Sequence, residues 1–228
     1  MKLIFDFDHT LFSAKKLYSV FKEAFLKLGV EENLFQETFE ESKGRGRDYK
    51  PEKQFKLIHQ VKPEIKIGKL KKSFEKILKA APEFLYNDVL GFLKKWSKEA
   101  DLILLSYSSE AQGGDESEAL IDYGEEKFQK NKIKASKIVK YFKKIIITRD
   151  IEKSKPFRKV LLFREKGGII FVEDNPQALS KTKTSFPQII TVRINRGEGK
   201  YSQKPNNLQV DFSIKNLKEL EKILKSLK

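Results

Sequence analysis

Five short apolar runs, Lys2–Phe7, Asp101–Tyr107, Lys144–Thr148, Gly168–Glu173 and Gln188–Ile194, constrain this chain most. Their apolar character is nearly continuous and not alternating. That is the pattern of parallel strands covered on both faces, since a half-exposed strand alternates with period two. Helical periodicity lies between them, in Leu90, Leu93 and Trp96 before the second run and in Phe157, Val160, Leu161 and Phe163 before the fourth. A further helix is predicted over Asn216–Lys228 from Leu217, Leu220, Ile223, Leu224 and Leu227. Strands alternating with helices predict an open α/β sheet with helices on both faces, joined by right-handed crossovers.

The spacing of the runs is uneven. About 95 residues separate the first from the second, where a single crossover helix needs only ~10–15. A second unit is therefore inserted there. Its amphipathic stretches (Leu17, Val20, Phe21, Ala24, Phe25, Leu28; Phe55, Ile58; Leu70, Phe74, Ile77, Leu78) contain no convincing strand. Gly44 and Gly46 mark a loop in it and Pro51 starts a helix. The predicted architecture is a Rossmann-like α/β core domain over 1–13 and 85–228, with an all-helical cap domain over 14–84.

A length of 228 residues fits a core with a small insert, and the absence of cysteine excludes disulfide frameworks, thiolate metal sites and cysteine nucleophiles. His9 and His59 are the only imidazoles, which removes histidine-rich metal sites. The first residues do not read as a signal peptide and no apolar run spans a bilayer, so the expected location is cytoplasmic, with no membrane partner. A net charge of +15 invites a nucleic-acid reading, but the lysines are spread along every predicted helix without interleaved aromatics. A lysine-rich solvated surface is the favoured interpretation, and attraction of anionic substrates or polynucleotides the lesser one.

In open α/β sheets ligands bind at the carboxyl ends of the strands. After the first run stand Asp6, Asp8 and Thr10; after the second, Ser106; between the third and fourth, Lys153 and Lys155; after the fourth, Glu173 and Asp174. Acids, a hydroxyl and a lysine suit phosphoryl transfer. A carboxylate attacking a phosphate dianion meets repulsion of about 4 kcal/mol per charge pair at ~4 Å, which a divalent cation and a lysine must offset. Mg²⁺ takes oxygen ligands from one or two carboxylates, matching Asp6 with Asp174. Lys153 or Lys155 can neutralise the phosphate, and Ser106 can donate its hydroxyl to a phosphoryl oxygen.

Phe5-Asp6-Phe7-Asp8-His9-Thr10-Leu11-Phe12, Leu102–Ser106, Lys155 and Phe171-Val172-Glu173-Asp174-Asn175-Pro176 together resemble, in order, the four motifs of the haloacid dehalogenase superfamily. The resemblance covers about two-thirds of the chain. It implies that Asp6 forms an aspartyl-phosphate and binds Mg²⁺. Asp8 would protonate the leaving group and then activate water, the division of labour that marks the family's phosphatases and mutases, while its backbone carbonyl touches the metal. Asp174 would be a metal ligand, with Glu173 acting through water or as an outer acceptor. The insert after the first motif would be a lid, in whose loop Lys43, Arg45 and Arg47 are candidates for gripping a second anionic group.

The function expected on this reading is hydrolysis of a small phosphorylated metabolite by a monomer or homodimer. A phosphomutase or phosphotransferase, or a polynucleotide-end phosphatase, is the alternative. His9 reads as a spacer or phosphate-loop residue, Trp96 as core, and Gly197-Glu198-Gly199 as a turn beyond the fifth strand. The stretch 109–126 carries seven acids and no Lys or Arg, which suits a solvated loop beside the site.

Overall fold

The computed structural model describes residues 1–43, 49–108, 127–148, 153, 157, 168–206 and 209–227. Six strands form one parallel sheet: β1 (Lys2–Phe5), β2 (Asp101–Tyr107), β3 (Lys144–Thr148), β4 (Ile169–Glu173), β5 (Ile190–Ile194) and β6 (Phe212–Ile214). Their order is β3-β2-β1-β4-β5-β6, with every pairing parallel. β1 is central, flanked by β2 through Phe5↔Leu104 and by β4 through Phe5↔Val172. The strand order reverses between β1 and β4, which is where such a sheet opens a crevice for ligands.

The near-continuous apolar strands are explained by a core on each face. Leu3 and Phe5 of β1, Leu102 and Leu104 of β2, and Ile170 and Val172 of β4 join one buried cluster. Ile4, Ile103, Leu105 and Phe171 join another with Phe157, Leu179 and Ile189. Alternate residues of one strand thus feed opposite layers.

Eight α-helices surround the sheet among the described residues: α1 (Ala14–Leu26), α2 (Glu32–Ser42), α3 (Pro51–Val61), α4 (Ile67–Lys79), α5 (Val89–Trp96), α6 (Lys127–Ala135), α7 (Pro176–Ser185) and α8 (Leu217–Ser226). The segment between β1 and β2 contains α1 to α5 and a 3-10 turn at Ala81–Phe84 and, among its described residues, no strand. Sequence chemistry sets these boundaries. Ser13 caps α1 by accepting from the Lys16 amide at 3.1 Å, Pro51 opens α3, and Asn216 caps α8 by accepting from the Glu219 amide at 3.1 Å. Leu17, Phe21 and Phe25 of α1 pack with Phe35, Phe55, Leu70 and Phe74 in the cluster that also holds Phe5 and Leu104, so insert and sheet share one apolar mass.

Three expectations need correction. β1 stops at Phe5 and not Phe7, because the chain turns at once: the amides of Leu11 and Phe12 both donate to the Phe7 carbonyl. Leu90 is 45% exposed; the buried stripe of α5 is Val89, Phe92, Leu93 and Trp96, one residue round from the face expected. β6 was not foreseen, being a three-residue edge strand with two exposed positions. The helix expected from Phe157 to Phe163 lies outside the described residues apart from Phe157, which is fully buried against Phe171 at 4.8 Å between ring centroids.

Candidate active site

A cavity of about 530 Å³ opens at the carboxyl ends of β1, β2 and β4. Asp6 is placed there by register: its amide donates to the Val172 carbonyl at 3.0 Å, extending the β1–β4 ladder by one bond and bringing it beside Glu173 and Asp174. One carboxylate oxygen from each of Asp6, Glu173 and Asp174 lies within 4.8 Å of the others. Lys153 ties two of them, donating from Nζ to Asp6 Oδ1 and, at 2.5 Å, to Glu173 Oε2. Lys153 is 3% exposed and has φ 57°, a left-handed conformation that costs a side-chain-bearing residue about 1–2 kcal/mol.

The partners divide the acids by role. Glu173 has both oxygens engaged, Oε2 by Lys153 and Oε1 by the amides of Asp174 and Asn175 at 3.1 Å each. Asp174 Oδ2, by contrast, is buried with no hydrogen-bond partner among the described residues. Burial and the neighbouring Glu173 charge push the Asp6 carboxyl up to about 7 despite Lys153, and the same two influences hold Asp174 well above the ordinary aspartate range. Two carboxyls short of positive charge, one with an orphaned buried oxygen, fit a hard divalent cation such as Mg²⁺ held directly by Asp6 and Asp174. Glu173 is then the group that orients Lys153 and the turn.

Asp8 faces the other way. Its oxygens accept from Lys132 Nζ at 2.8 and 2.9 Å, and Oδ2 also accepts from Gln129 Nε2 at 2.8 Å. Burial raises its pKa, but the charge and hydrogen bond of Lys132, with the His9 charge and the Gln129 hydrogen bond, together outweigh burial and hold the carboxyl below its ordinary value. Gln129 Nε2 donates also to Ser106 Oγ at 2.8 Å, which links the ends of β1 and β2 across the cavity.

No family model and no curated protein matches the sequence. Solved structures do match, nearly end to end. A haloacid dehalogenase-like hydrolase of Burkholderia xenovorans superposes with TM-score 0.70 at 16% identity, over 99% of this chain and 97% of that one. The hydrolase YfnB of Bacillus subtilis, bound to magnesium, gives 0.59 at 15% identity over 98% and 97%. The L-2-haloacid dehalogenase of Xanthobacter autotrophicus, with chloropropionic acid covalently bound, gives 0.55 at 14% over 100% and 99%. The chain has the haloacid dehalogenase-like hydrolase fold.

The residues singled out in the sequence are placed as follows. Asp6, Asp8, Ser106, Lys153, Glu173 and Asp174 all line the cavity, as do His9 and Lys43. Lys155, Arg45 and Arg47 lie outside the described residues, as does the acidic stretch 109–126. Lys153 is therefore the lysine seen to contact Asp6. The expectation for Thr10 is corrected: it is fully buried and absent from the cavity lining, because the tight turn after Phe7 tucks it inward. Its hydroxyl has no partner among the described residues and its carbonyl accepts from Arg196 Nε and Nη2 at 3.1 and 3.0 Å. Asp8 keeps its carboxylate out of the three-acid cluster, engaged instead by Lys132 and Gln129.

Two groups of residues were missed. Gln129 and Lys132 lie one turn apart on α6, but that helix carries four other lysines or near-equivalent polar positions and nothing in its pattern singles these two out. The second group is the turn after β5, read only as a turn. Arg196 pairs with Asp88 at 2.8 Å, lies 4.2 Å from the Tyr86 ring centroid and holds Thr10. Glu198 accepts from His9 Nδ1 at 3.2 Å, Ser13 Oγ at 3.0 Å and Tyr86 Oη at 2.5 Å. His9 has φ 60°, so its strained backbone, in the loop joining Asp8 to Thr10, is held by this clamp. Gly199 closes it: at φ +83°, a Cβ there would stand 2.9 Å from His9 Cγ and Cδ2. Among the described residues no helix is long and apolar enough to cross a membrane.

Proposed function

We propose that this chain is a divalent-cation-dependent phosphohydrolase of the haloacid dehalogenase superfamily that cleaves small phosphomonoesters through an aspartyl-phosphate on Asp6. The observation that carries this reading is the gathering of Asp6, Glu173 and Asp174 around Lys153, with a second carboxyl, Asp8, at the same strand end. When bound, Mg²⁺ would supply positive charge that lowers the Asp6 pKa and offsets its repulsion of a phosphate dianion.

Asp6 attacks phosphorus through a carboxylate oxygen as the ester P–O bond breaks, and protonated Asp8 gives its proton to the departing alkoxide. Asp8, now a carboxylate, takes a proton from water, whose oxygen attacks phosphorus and releases Asp6 and phosphate. Lys153 keeps Asp6 oriented and adds to the positive charge that favours its ionised form, and Ser106 offers its hydroxyl to a phosphoryl oxygen. Displacement of a halide, the chemistry named for the Xanthobacter relative, calls for no proton donor at the leaving group; the presence of Asp8 supports the ester. A mutase shares the first step, and the two part at whether water or a sugar hydroxyl accepts the phosphoryl group.

In this reading the helical segment 14–84 acts as a cap on the core formed by 1–13 and 85–228, since Leu17, Phe21, Phe39 and Tyr49 reach the cavity and limit water there. A small phosphorylated metabolite is the partner and the cytoplasm the location that go with it. The test is release of phosphate from p-nitrophenyl phosphate with Mg²⁺ by wild type and Asp6→Asn. A loss of at least about a thousandfold in the variant is expected; equal turnover, or chloride release from 2-chloropropionate in place of phosphate release, overturns the reading.

A further inference from the structure

Part of the cavity lining beyond its acids is a run of aromatic rings in successive contact. Lys132, bound to Asp8, sits with Nζ 5.0 Å from the Phe128 ring centroid. Phe128 contacts Tyr49 at 5.3 Å, Tyr49 contacts Phe39 at 4.7 Å, and Phe39 contacts Tyr18 at 4.6 Å between centroids. All four rings line the cavity and all four are only partly buried, while Phe25, Phe35 and Phe55, absent from the lining, are at most 2% exposed; Phe21, also in the lining, is 2% exposed. Core aromatics need no opening; these four have one.

The polar atoms of this wall are already committed. The Tyr18 hydroxyl donates to Gln36 at 2.9 Å, the Tyr49 hydroxyl donates to Gln54 at 2.5 Å, and Lys43 pairs with Glu40 at 2.5 Å while lying over the Phe39 ring at 4.6 Å. A sugar phosphate placed here would bring hydroxyls against ring faces and edges, at the cost of desolvating polar groups without partners. An apolar ring would instead find offset and edge contacts. Among the described lining residues no carboxylate stands beyond Asp6, Asp8, Glu173 and Asp174, so the wall has no partner for an ammonium group either.

We infer that the substrate is the phosphate monoester of an alcohol carrying an aromatic or comparably flat apolar body, bound along the Phe128–Tyr49–Phe39–Tyr18 wall with its phosphate at Asp6. This rests on the phosphohydrolase reading above and narrows its substrate class. Selectivity comes from rings supplied by the insert and by α6, not by the strand-end motifs, so chemistry and recognition are built on different parts of the chain.

The test compares 2-phenylethyl phosphate with glycerol 1-phosphate, both esters of primary alcohols with similar leaving groups, using the full chain with Mg²⁺ and released phosphate as readout. The expected result is a kcat/KM at least about tenfold higher for the phenylethyl ester, carried mainly by KM, in line with burial of one apolar side-chain-sized group. Phe39→Ala is expected to remove most of that preference and Phe39→Trp to keep it, which separates loss of the ring from loss of the fold. Equal or better use of glycerol 1-phosphate by wild type, or a preference unchanged in Phe39→Ala, overturns the inference while leaving the hydrolase standing. No phosphate from either ester overturns the hydrolase reading and this inference with it.

Discussion

Lys132 Nζ lies 2.8 Å from Asp8 Oδ1 and 2.9 Å from Oδ2, so the carboxyl proposed as proton donor is held as a carboxylate. An acid must carry its proton before it gives it away, and Lys132 opposes that. Binding of a phosphate dianion beside the pair supplies a competing anion for Lys132 and so favours protonation of Asp8 in the complex. Lys132→Met leaves burial as the main influence on Asp8, and its pKa rises. The basic limb of kcat/KM against pH is expected to move to higher pH in the variant; a limb that stays in place contradicts the assignment of that proton to Asp8.

The same pair has a stability signature. A carboxyl with a lowered folded pKa contributes stability above its unfolded value that is lost as pH falls through the folded one. In Lys132→Met that contribution disappears and a partly buried charge is left unpaired. Thermal melts of the variant should fall at neutral pH by an amount on the order of 1–3 kcal/mol and recover toward wild type in acid, where Asp8 is protonated.

Asp6 and Asp174 have the opposite sign. Their raised pKa values mean that the metal-free folded state binds protons the unfolded chain releases, so stability is greatest below the ordinary aspartate range and falls as pH rises toward about 7 for Asp6. The slope is about 1.4 kcal/mol per pH unit for each proton involved. Denaturation without Mg²⁺ at pH 5 and at pH 7.5 should show the loss, and Mg²⁺ should reverse it at the higher pH by binding the ionised pair. A metal-free protein that gains stability across this interval would contradict the assignment.

Direct and indirect metal roles separate by substitution. Asp174→Asn removes the proposed ligand, whose buried oxygen has no partner among the described residues, and calorimetric titration with Mg²⁺ should show affinity reduced at least about a hundredfold; Glu173→Gln, which on this proposal disturbs only the groups around the ligands, should cost about tenfold. Equal losses would place both carboxylates on the ion.

The clamp after β5 is tested by Arg196→Ala and Glu198→Ala. The Arg196–Asp88 pair has side chains 5% and 10% exposed, so removing Arg196 strands a buried carboxylate and should destabilise the fold by about 3–5 kcal/mol. Glu198→Ala frees His9, Ser13 and Tyr86 and loosens the loop that carries Asp8, so turnover should fall about tenfold or more with little change in KM. A KM effect alone would mean that Glu198 touches substrate instead.

Much of this was legible in the sequence because the signals were periodic or tied to strand ends. Short apolar strands, Pro51 at a helix start and acids after β1 and β4 all express local rules, and the inserted helices followed from the wide gap between the first two strands together with amphipathic periodicity. What stayed hidden depends on tertiary placement. Lys132 is one lysine among many on a polar helix, and its choice of Asp8 is set by how α6 docks at the sheet edge. Glu198 binds His9 across 189 positions of sequence, and Thr10 is buried by a turn whose hydrogen bonds no pattern announces. The aromatic wall likewise carries no signal of its own, since periodicity cannot tell a ring facing a cavity from one facing a neighbour.

The central claim is a phosphoryl group on Asp6. Acid-quenched Asp8→Asn, mixed with p-nitrophenyl phosphate and Mg²⁺, should carry one hydroxylamine-sensitive phosphoryl group, located by peptide mass spectrometry on the segment containing Asp6 and missing from Asp6→Asn. A phosphoryl group on any other residue, or rapid turnover by Asp6→Asn with no covalent species at all, would contradict the account.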